Sequence, residues 1–592
     1  MSGAPVDRKN RWIGIGVILL AALVAVAPQL IRGTSCGHDF DFHLASWFDA
    51  LASWRHGIAY PRWAPSANYG AGEPRFIFYP PLSWMLGAAL GVVLPWKLVP
   101  IALTFLCLAG CGLATRALAR QGLGEGASTL AGCAALFSGY ALFTTYERTD
   151  FAELTGGFWI ALVLHFALRE REPQARLTHR AFDGSAAPLV LAVAGAWLSN
   201  APLGVMASYL LAAVAAVAAL TSRSWAPVLR AAASVTIGLG LAAIYLVPAA
   251  FEQRWIDLHQ ILGDPASQVE NSWLFARHAD PTLALHDVAL FKVSIIAVVM
   301  LAVAFTSLAV CWRLGKLRGA AHFWLPLAII PLFVLFLQFP VSDFLWNALP
   351  KLRYLEFPWR WLLVLQAPMG IFFAAALWSS RPTRRAITIT ASALLFLAST
   401  IFAGRVFFQF CDDQDAVWAM LDTYRQGQGF VGTDEYEPPW ADNSVLAQDL
   451  PPSCLTASPT APLGKLNEFQ MYDWAPSQHS CDAAFDAAPN SVPDSTSEHL
   501  HIDANAPRAG FLVLRLRSYP AWAVRVDGVL QQNLPQRDDG LIVVPVPQGP
   551  SRITADWTTT PDVWAGRALT ALALALLAGL FAFERRQTRS KL

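Results

Sequence analysis

Charge is scarce in this 592-residue chain. Asp, Glu, Lys and Arg together make up 14% of it, where soluble domains carry about 25%. So little charge cannot coat a soluble surface of this size, which excludes an ordinary cytosolic enzyme. A basic excess is missing too, since 43 Lys and Arg stand against 42 Asp and Glu; that speaks against a nucleic-acid binder. Internal repeats and long low-complexity stretches are not evident. A cleavable signal peptide is not expected either. The first apolar run is about 19 residues long, no small-x-small site follows before Arg32, and signal-peptide cores run about 7–15 residues. What abounds is apolar. Hydrophobic residues make up 55% of the chain and there are 23 Trp, while mean hydropathy is +0.41. This composition is that of a polytopic membrane protein, with indoles at membrane–water boundaries.

A spanning helix needs roughly 20 apolar residues. Twelve spans are expected, at about 12–31, 97–117, 127–145, 156–168, 187–200, 204–220, 229–248, 289–311, 322–339, 360–379, 386–404 and 563–583. The stretch 80–96 opens on Pro80-Pro81 and holds Pro95, so it reads as an interfacial or re-entrant helix. With the N-terminus inside, the short inner pieces hold 21 Lys and Arg against six acids. They include Arg8, Lys9, Arg11, Arg116, Arg120, Arg169, Arg171, Arg176, Arg180, Arg230, Lys316, Arg385 and Lys591. The remaining 22 basic residues face 36 acidic ones. Basic loops stay in the cytoplasm, so both termini are expected there. Three large segments then lie outside: the first loop, 32–96, a middle loop, about 249–288, and a tail, about 405–562.

The chain thus divides into a transmembrane part, 1–404, an outer tail domain, 405–562, and a last span with a basic tail, 563–592. Within the tail, 500–558 reads as an antiparallel β-sandwich-like unit. Alternation over Phe511–Arg517 and Ala521–Val526, then Asp527-Gly528, signals strands and a tight hairpin. Residues 438–493 are rich in Pro, Ala, Ser and Asp and read as loop. Of eight cysteines, Cys107, Cys111, Cys133 and Cys311 fall in spans as small apolar fillers. Cys36, Cys411, Cys454 and Cys481 fall outside, where two disulfides have three possible pairings. Cys454–Cys481 is favoured, and Cys36–Cys411 would then tie the first loop to the tail.

Three outer segments carry chemistry. The first holds His38, Asp39, Asp41 and His43, followed by Arg75 and Tyr79. Carboxylates at a membrane exit can serve as a base toward a hydroxyl at headgroup depth; equally, Asp41 can be an N-cap. The same four residues are a weak candidate for a divalent metal, in a spacing that fits no compact motif. The second segment is Tyr146–Glu153, with Arg148, Asp150 and Glu153. These charges either pair across a helix turn or hold a phosphate and orient a substrate. The third is Lys351–Trp361, with Arg353 and Arg360. Arg and Trp there are either interfacial anchors or a lipid-phosphate site.

Gly37–His43 with Tyr79-Pro80-Pro81-Leu82 resembles the first outer loop of GT-C glycosyltransferases. Tyr146-x-Arg148 with Glu153, Arg353-Tyr-x-x-Phe357-Pro-Trp-Arg360, and Tyr519-Pro-Ala-Trp522 through Asp527-Gly528 resemble bacterial YfhO-like proteins. That group includes membrane proteins labelled "6-pyruvoyl-tetrahydropterin synthase-related", yet nothing here is similar to the soluble pterin enzyme's zinc site. The resemblance implies a GT-C-like fold in the bacterial inner membrane. It implies a metal-independent, inverting transfer of a hexosyl or pentosyl group on the outer face. The donor would be a polyprenyl-phosphate sugar and the acceptor a glycan, lipid or protein. Asp39 and Asp41 would then be the catalytic candidates. Arg148, Glu153, Arg353, Arg360, Arg75, Tyr79 and His43 would contact donor phosphate or substrate. The rival readings are a twelve-span transporter or lipid flippase, and a non-catalytic envelope-assembly protein with a glycan-binding tail.

Overall fold

A computed structural model describes residues 8–169, 185–258, 263–318, 320–463, 481 and 495–589. Arg171, Arg176, Arg180, Lys591 and most of 438–493 lie outside the described residues. Among the described residues, six helices are long and apolar enough to cross a membrane: Trp96–Ala119, Ala201–Ser222, Pro281–Arg313, Pro358–Leu377, Pro382–Val406 and Pro561–Arg586. Three bent pairs bring the number to nine if each is one span. These are Glu125–Leu136 with Gly139–Arg148 (42°), Ala226–Leu241 with Ala243–Trp255 (72°), and Ala321–Leu337 with Pro340–Ala348 (103°). The chain is a multi-pass membrane protein. Phe151–Ala167 and Ala186–Ser199 are shorter apolar helices, and the first expected span is the pair Arg8–Ala25 and Ala27–Arg32. Apolar side chains such as Leu394 and Leu572 stand out from the last helices with about 60% of their surface uncovered, as lipid-facing residues would.

The Pro81–Val93 helix has 13 residues. At 1.5 Å per residue it reaches about 20 Å, short of a hydrocarbon core of about 30 Å. Pro81 starts it with a preset φ. Gly87 lies so close to Trp47 that a β-carbon would come within 2.1 Å of the indole, so the helix packs flat on the first-loop helix, Phe40–Arg55.

The basic loops gather at one end of the helices. Arg116 donates to Glu125 at 2.6 Å and to the Arg11 carbonyl at 3.2 Å. Lys316 Nζ donates to the carbonyls of Ala375 (2.7 Å) and Trp378 (3.1 Å). Gln121 reaches the His165 carbonyl at 2.7 Å. At the opposite end stand the first loop, the middle loop and the tail.

Among its described residues the tail holds seven strands: β1 (Ser453–Thr456), β2 (His499–Ala506), β3 (Gly510–Arg517), β4 (Trp522–Val526), β5 (Val529–Leu530), β6 (Leu541–Val546) and β7 (Gly549–Trp557). They form two sheets ordered β1-β3-β6 and β2-β7-β4-β5, every pair antiparallel. Ile502, Leu512, Leu514, Val524, Val544 and Ile553 share one core with Trp63 and Ile77 of the first loop, so the sandwich is completed by the loop. Asp527 and Gly528 both have positive φ (49° and 82°) between Val526 and Val529, which pair. That is the two-residue hairpin which Asp-Gly favours. Two findings differ from the sequence reading. A strand, β1, lies inside the stretch expected as loop. Asp41 is not an N-cap, because the helix starts at Phe40 and Asp39 takes the cap position.

A strap, residues 429–437, crosses the first loop. Phe430 N–H donates to the Ser66 carbonyl (2.7 Å) and Tyr69 N–H to the Phe430 carbonyl (2.8 Å). Thr433 donates from N (2.8 Å) and Oγ1 (3.1 Å) to Glu73, and Tyr436 stacks on Phe78 at 5.5 Å. Two disulfides, Cys36–Cys411 and Cys454–Cys481, close loops of 375 and 27 residues. The four remaining cysteines are free and buried. Alkylation of the denatured, unreduced protein is expected to add four labels by mass, and eight after reduction. Five or more labels before reduction would show an open bridge.

Asp49, fully buried on the Phe40–Arg55 helix, accepts from Ser66 N–H (3.3 Å) and Oγ (2.7 Å). Burial pushes its carboxyl up to about 7, against the pull of the Ser66 bond and Arg75. The folded protein therefore keeps a proton here that the unfolded chain loses near pH 4. Its contribution to stability falls as pH climbs from about 4 to 7, and the penalty is complete above that. Asp49→Asn is expected to narrow the difference in thermal midpoint between pH 5 and pH 8. An unchanged difference would mean the carboxyl is not the titrating group.

Candidate functional site

The site forms where the 139–148 helix ends. Ser138 Oγ caps that helix by accepting from Ala141 N–H at 3.3 Å. The helix then widens into a π turn, Thr144–Arg148, a device common at functional sites. Thr149 adopts a left-handed conformation (φ 51°). Asp150 begins the next helix, its Oδ1 accepting from Glu153 N–H at 2.9 Å. This break turns Arg148 toward Asp150 and Glu153.

The first loop docks on the break through its backbone. Gly37 N–H donates to Thr149 Oγ1 (3.0 Å), His38 N–H to the Glu147 carbonyl (3.3 Å) and Asp39 N–H to the Arg148 carbonyl (2.9 Å). A β-carbon at Gly37 would lie 2.3 Å from the Glu147 carbonyl oxygen, so only glycine allows this approach. Asp39 is thereby set beside Arg148.

Arg148 joins three carboxylates: Asp39 (3.1 Å), Asp150 (3.4 Å) and Glu153. Its guanidinium also lies 5.3 Å from the Trp359 ring centre. Tyr140 donates its hydroxyl proton to Glu153. Arg360 Nε stands 3.7 Å from Glu153 Oε2, too far for a hydrogen bond, and is buried without a partner. Its Nη1 donates to the Leu355 carbonyl (2.9 Å) and lies 3.3 Å from Glu356. Glu356 holds φ 60°, ψ −52°, a strained backbone for a residue with a β-carbon.

Burial raises the Asp39 and Asp150 carboxyls, but their partners win. Arg148 and the His38 bond hold Asp39 below the usual carboxylate range. His43 and Arg148 do the same for Asp150. Asp39 in turn raises His38 through their hydrogen bond. Both aspartates are therefore ionised at neutral pH.

The structure thus brings together Asp39, Arg148, Glu153 and Arg360, with His43 behind them. His43 is buried, its Nε2 3.5 Å from Asp150 Oδ1. Tyr79 packs edge-on against Phe42 (4.7 Å) and His43 (5.7 Å). Arg75 sits one layer away, paired with Glu73 at 2.6 Å and Ser46 at 3.1 Å. Asp41 is outside the cluster: it is exposed, and its Oδ1 accepts from Phe42 N–H at 2.8 Å. Arg353 is also apart, exposed and paired with Glu270 and Asn347. His38, Asp39, Asp41 and His43 do not converge on one point. Among the described residues no group of three or more His, Cys, Asp or Glu is arranged to hold a metal. Asp150, read from the sequence as a charge that could orient a substrate, is part of the site, and Glu356 and Tyr140 complete it without having been singled out from sequence. Glu356 lies four residues before Arg360, and that spacing was the available signal.

Fold and site together define a multi-pass membrane protein with a carboxylate–arginine cluster at the end that carries its β domain. No protein-family model and no curated protein matches the chain. Among solved structures it is similar to the Archaeoglobus fulgidus oligosaccharyltransferase in the apo form. Identity is 13% and the TM-score 0.45, over 73% of this chain and 62% of that one. It is also similar to the archaeal oligosaccharyltransferase AglB from Archaeoglobus fulgidus, in complex with an inhibitory peptide and a dolichol-phosphate (14%, 0.46, 73% and 61%). The arabinofuranosyltransferase AftD from Mycobacteria aligns at 20% identity and a TM-score of 0.40, over 68% of this chain and 27% of that one. The alignments span less than two thirds of those proteins, and the likeness is a partial one of shape.

Proposed function

We propose that this protein is a GT-C-type glycosyltransferase. It would move a hexosyl or pentosyl group from a polyprenyl-phosphate donor to a glycan, lipid or protein acceptor. We place it in a bacterial inner membrane with twelve spans, both termini in the cytoplasm and the β domain outside. The positive-inside rule supports that direction. The observation that carries the reading is an ionised carboxylate, Asp39, fixed by Arg148, in a cluster linked through Glu153 to the buried Nε of Arg360, which has no hydrogen-bond partner. In this mechanism the acceptor oxygen attacks the anomeric carbon from the face opposite the phosphate. Asp39 takes the hydroxyl proton. The bond from the anomeric carbon to the phosphate oxygen breaks, and its electron pair leaves with the lipid phosphate. Arg360 meets that charge. Arg148 is already surrounded by carboxylates, so its role is to orient Asp39 rather than to bind phosphate.

The test is incubation of the purified protein with a panel of polyprenyl-phosphate sugars and acceptors, reading lipid-phosphate release. Release from none of them would remove the assignment. A second reading has a divalent cation assist the donor phosphate, although among the described residues no group of three or more His, Cys, Asp or Glu is arranged to hold one. Added Mg²⁺ or Mn²⁺ is expected to leave the rate unchanged; a large increase would favour the second reading. A transporter would place its ionisable groups near mid-membrane, whereas this cluster stands at a bundle end.

A further inference from the structure

A second charged site lies where the tail rejoins the helices, and the proposed transfer makes no use of it. Three segments meet there: Glu252 at the end of the Ala243–Glu252 helix, Tyr519 just after β3, and Thr560 and Asp562 at the start of the last helix. Tyr519 donates to Glu252 Oε2 at 2.5 Å, and Thr560 Oγ1 to Glu252 Oε1 at 3.2 Å. Asp562 sits against the Glu252 carboxyl. Glu252 is 1% exposed and Asp562 5%. Both oxygens of Asp562 are buried and accept no hydrogen bond from an N–H or hydroxyl donor; the Glu252 carboxyl is the group they face.

Buried carboxylates are normally paired with a cation or fully hydrogen-bonded. Among the described residues, neither of these has a Lys or Arg within ion-pair distance. The field of Arg62 reaches Tyr519, but its guanidinium lies over the Tyr60 ring at 4.5 Å. A single proton shared between the two carboxyls would leave one Asp562 oxygen unmet. A hard divalent cation would meet them together, because it takes carboxylate and neutral oxygens at once. Glu252, Asp562, Thr560 and Tyr519 supply that donor set.

We propose that Glu252 and Asp562 bind a Ca²⁺-class cation that pins the β domain to the helical bundle. The site is separate from the Asp39 cluster, and the proposal does not depend on the transfer reaction. Aromatic rings stand close by: Trp255 and Trp557 each lie 5.5 Å from Tyr519. Terbium, an oxygen-seeking stand-in for Ca²⁺, would therefore be sensitised by excitation of these rings.

The experiment titrates Tb³⁺ into the purified full chain in detergent, exciting at the aromatic band. Saturable emission displaced by Ca²⁺ is expected, and lost in Glu252→Gln and Asp562→Asn. Thr560→Val, which alters a half-buried side chain, should keep the fold and weaken the affinity by roughly threefold or more. Saturating Ca²⁺ should also raise the wild-type thermal midpoint over EDTA by roughly 3 °C. In EDTA, Asp562→Asn should melt no lower than wild type, since it removes an unpaired buried charge. Absence of saturable emission, or emission unchanged in all three variants, overturns the proposal. A midpoint that ignores Ca²⁺ but rises on acidification from pH 8 to pH 5, and does so only while both carboxyls are present, assigns a shared proton and also overturns it.

Discussion

Asp39→Asn is expected to slow lipid-phosphate release by about 10²–10⁴, the range a positioned general base supplies. The amide is close to isosteric and can still accept from Arg148, so the fold should hold and donor should still bind. Asp41→Asn is the matched control. It lies two residues away, but its side chain is exposed and bonded to the Phe42 amide, so its rate should stay within a few-fold of wild type. The comparison is a single-turnover measurement with both variants at equal lipid content. Loss of rate in Asp41→Asn with Asp39→Asn unaffected would reverse the assignment.

Arg148→Ala should have the largest effect on stability. It strips one guanidinium from three carboxylates, Asp39, Asp150 and Glu153, of which the last two are buried. Removing one partner of a buried ion pair costs about 3–5 kcal/mol, because the other charges stay uncompensated. A drop in thermal midpoint, or a much shorter half-life at fixed temperature, is the readout. Arg148→Lys should recover only part of it, since an ammonium is a point charge without the planar fork. If Arg148→Ala melts with wild type, the three carboxylates are not charged together in the folded protein.

Much of this architecture was legible because lipid imposes simple rules. Long apolar runs and basic loops read directly as helices and as one shared end. Asp527-Gly528 gave its hairpin because few residues accept positive φ twice in succession. Bends were not legible. The 103° turn after Leu337 depends on how neighbouring helices pack, not on composition alone. Strand β2 went unnamed although Leu500, Ile502, Ala504 and Ala506 alternate with His499, His501, Asp503 and Asn505. In the site, Arg353 and Arg360 share one short segment and looked equivalent. The left-handed turns at Lys351 and Glu356 separate them, one exposed and one buried. Asp150 was legible as a charge but not as the cap that positions Glu153, since capping depends on where a helix begins.

The strap over the first loop bears on how the molecule is born. Residues 37–43 leave the ribosome before the segments that hold their loop, namely Cys411, the 429–437 strap and the β sandwich that ends at Trp557. Those later segments must be made and folded before that end of the molecule can close. A chain that stops short of them has residues 37–43 without the partners that hold the loop in place.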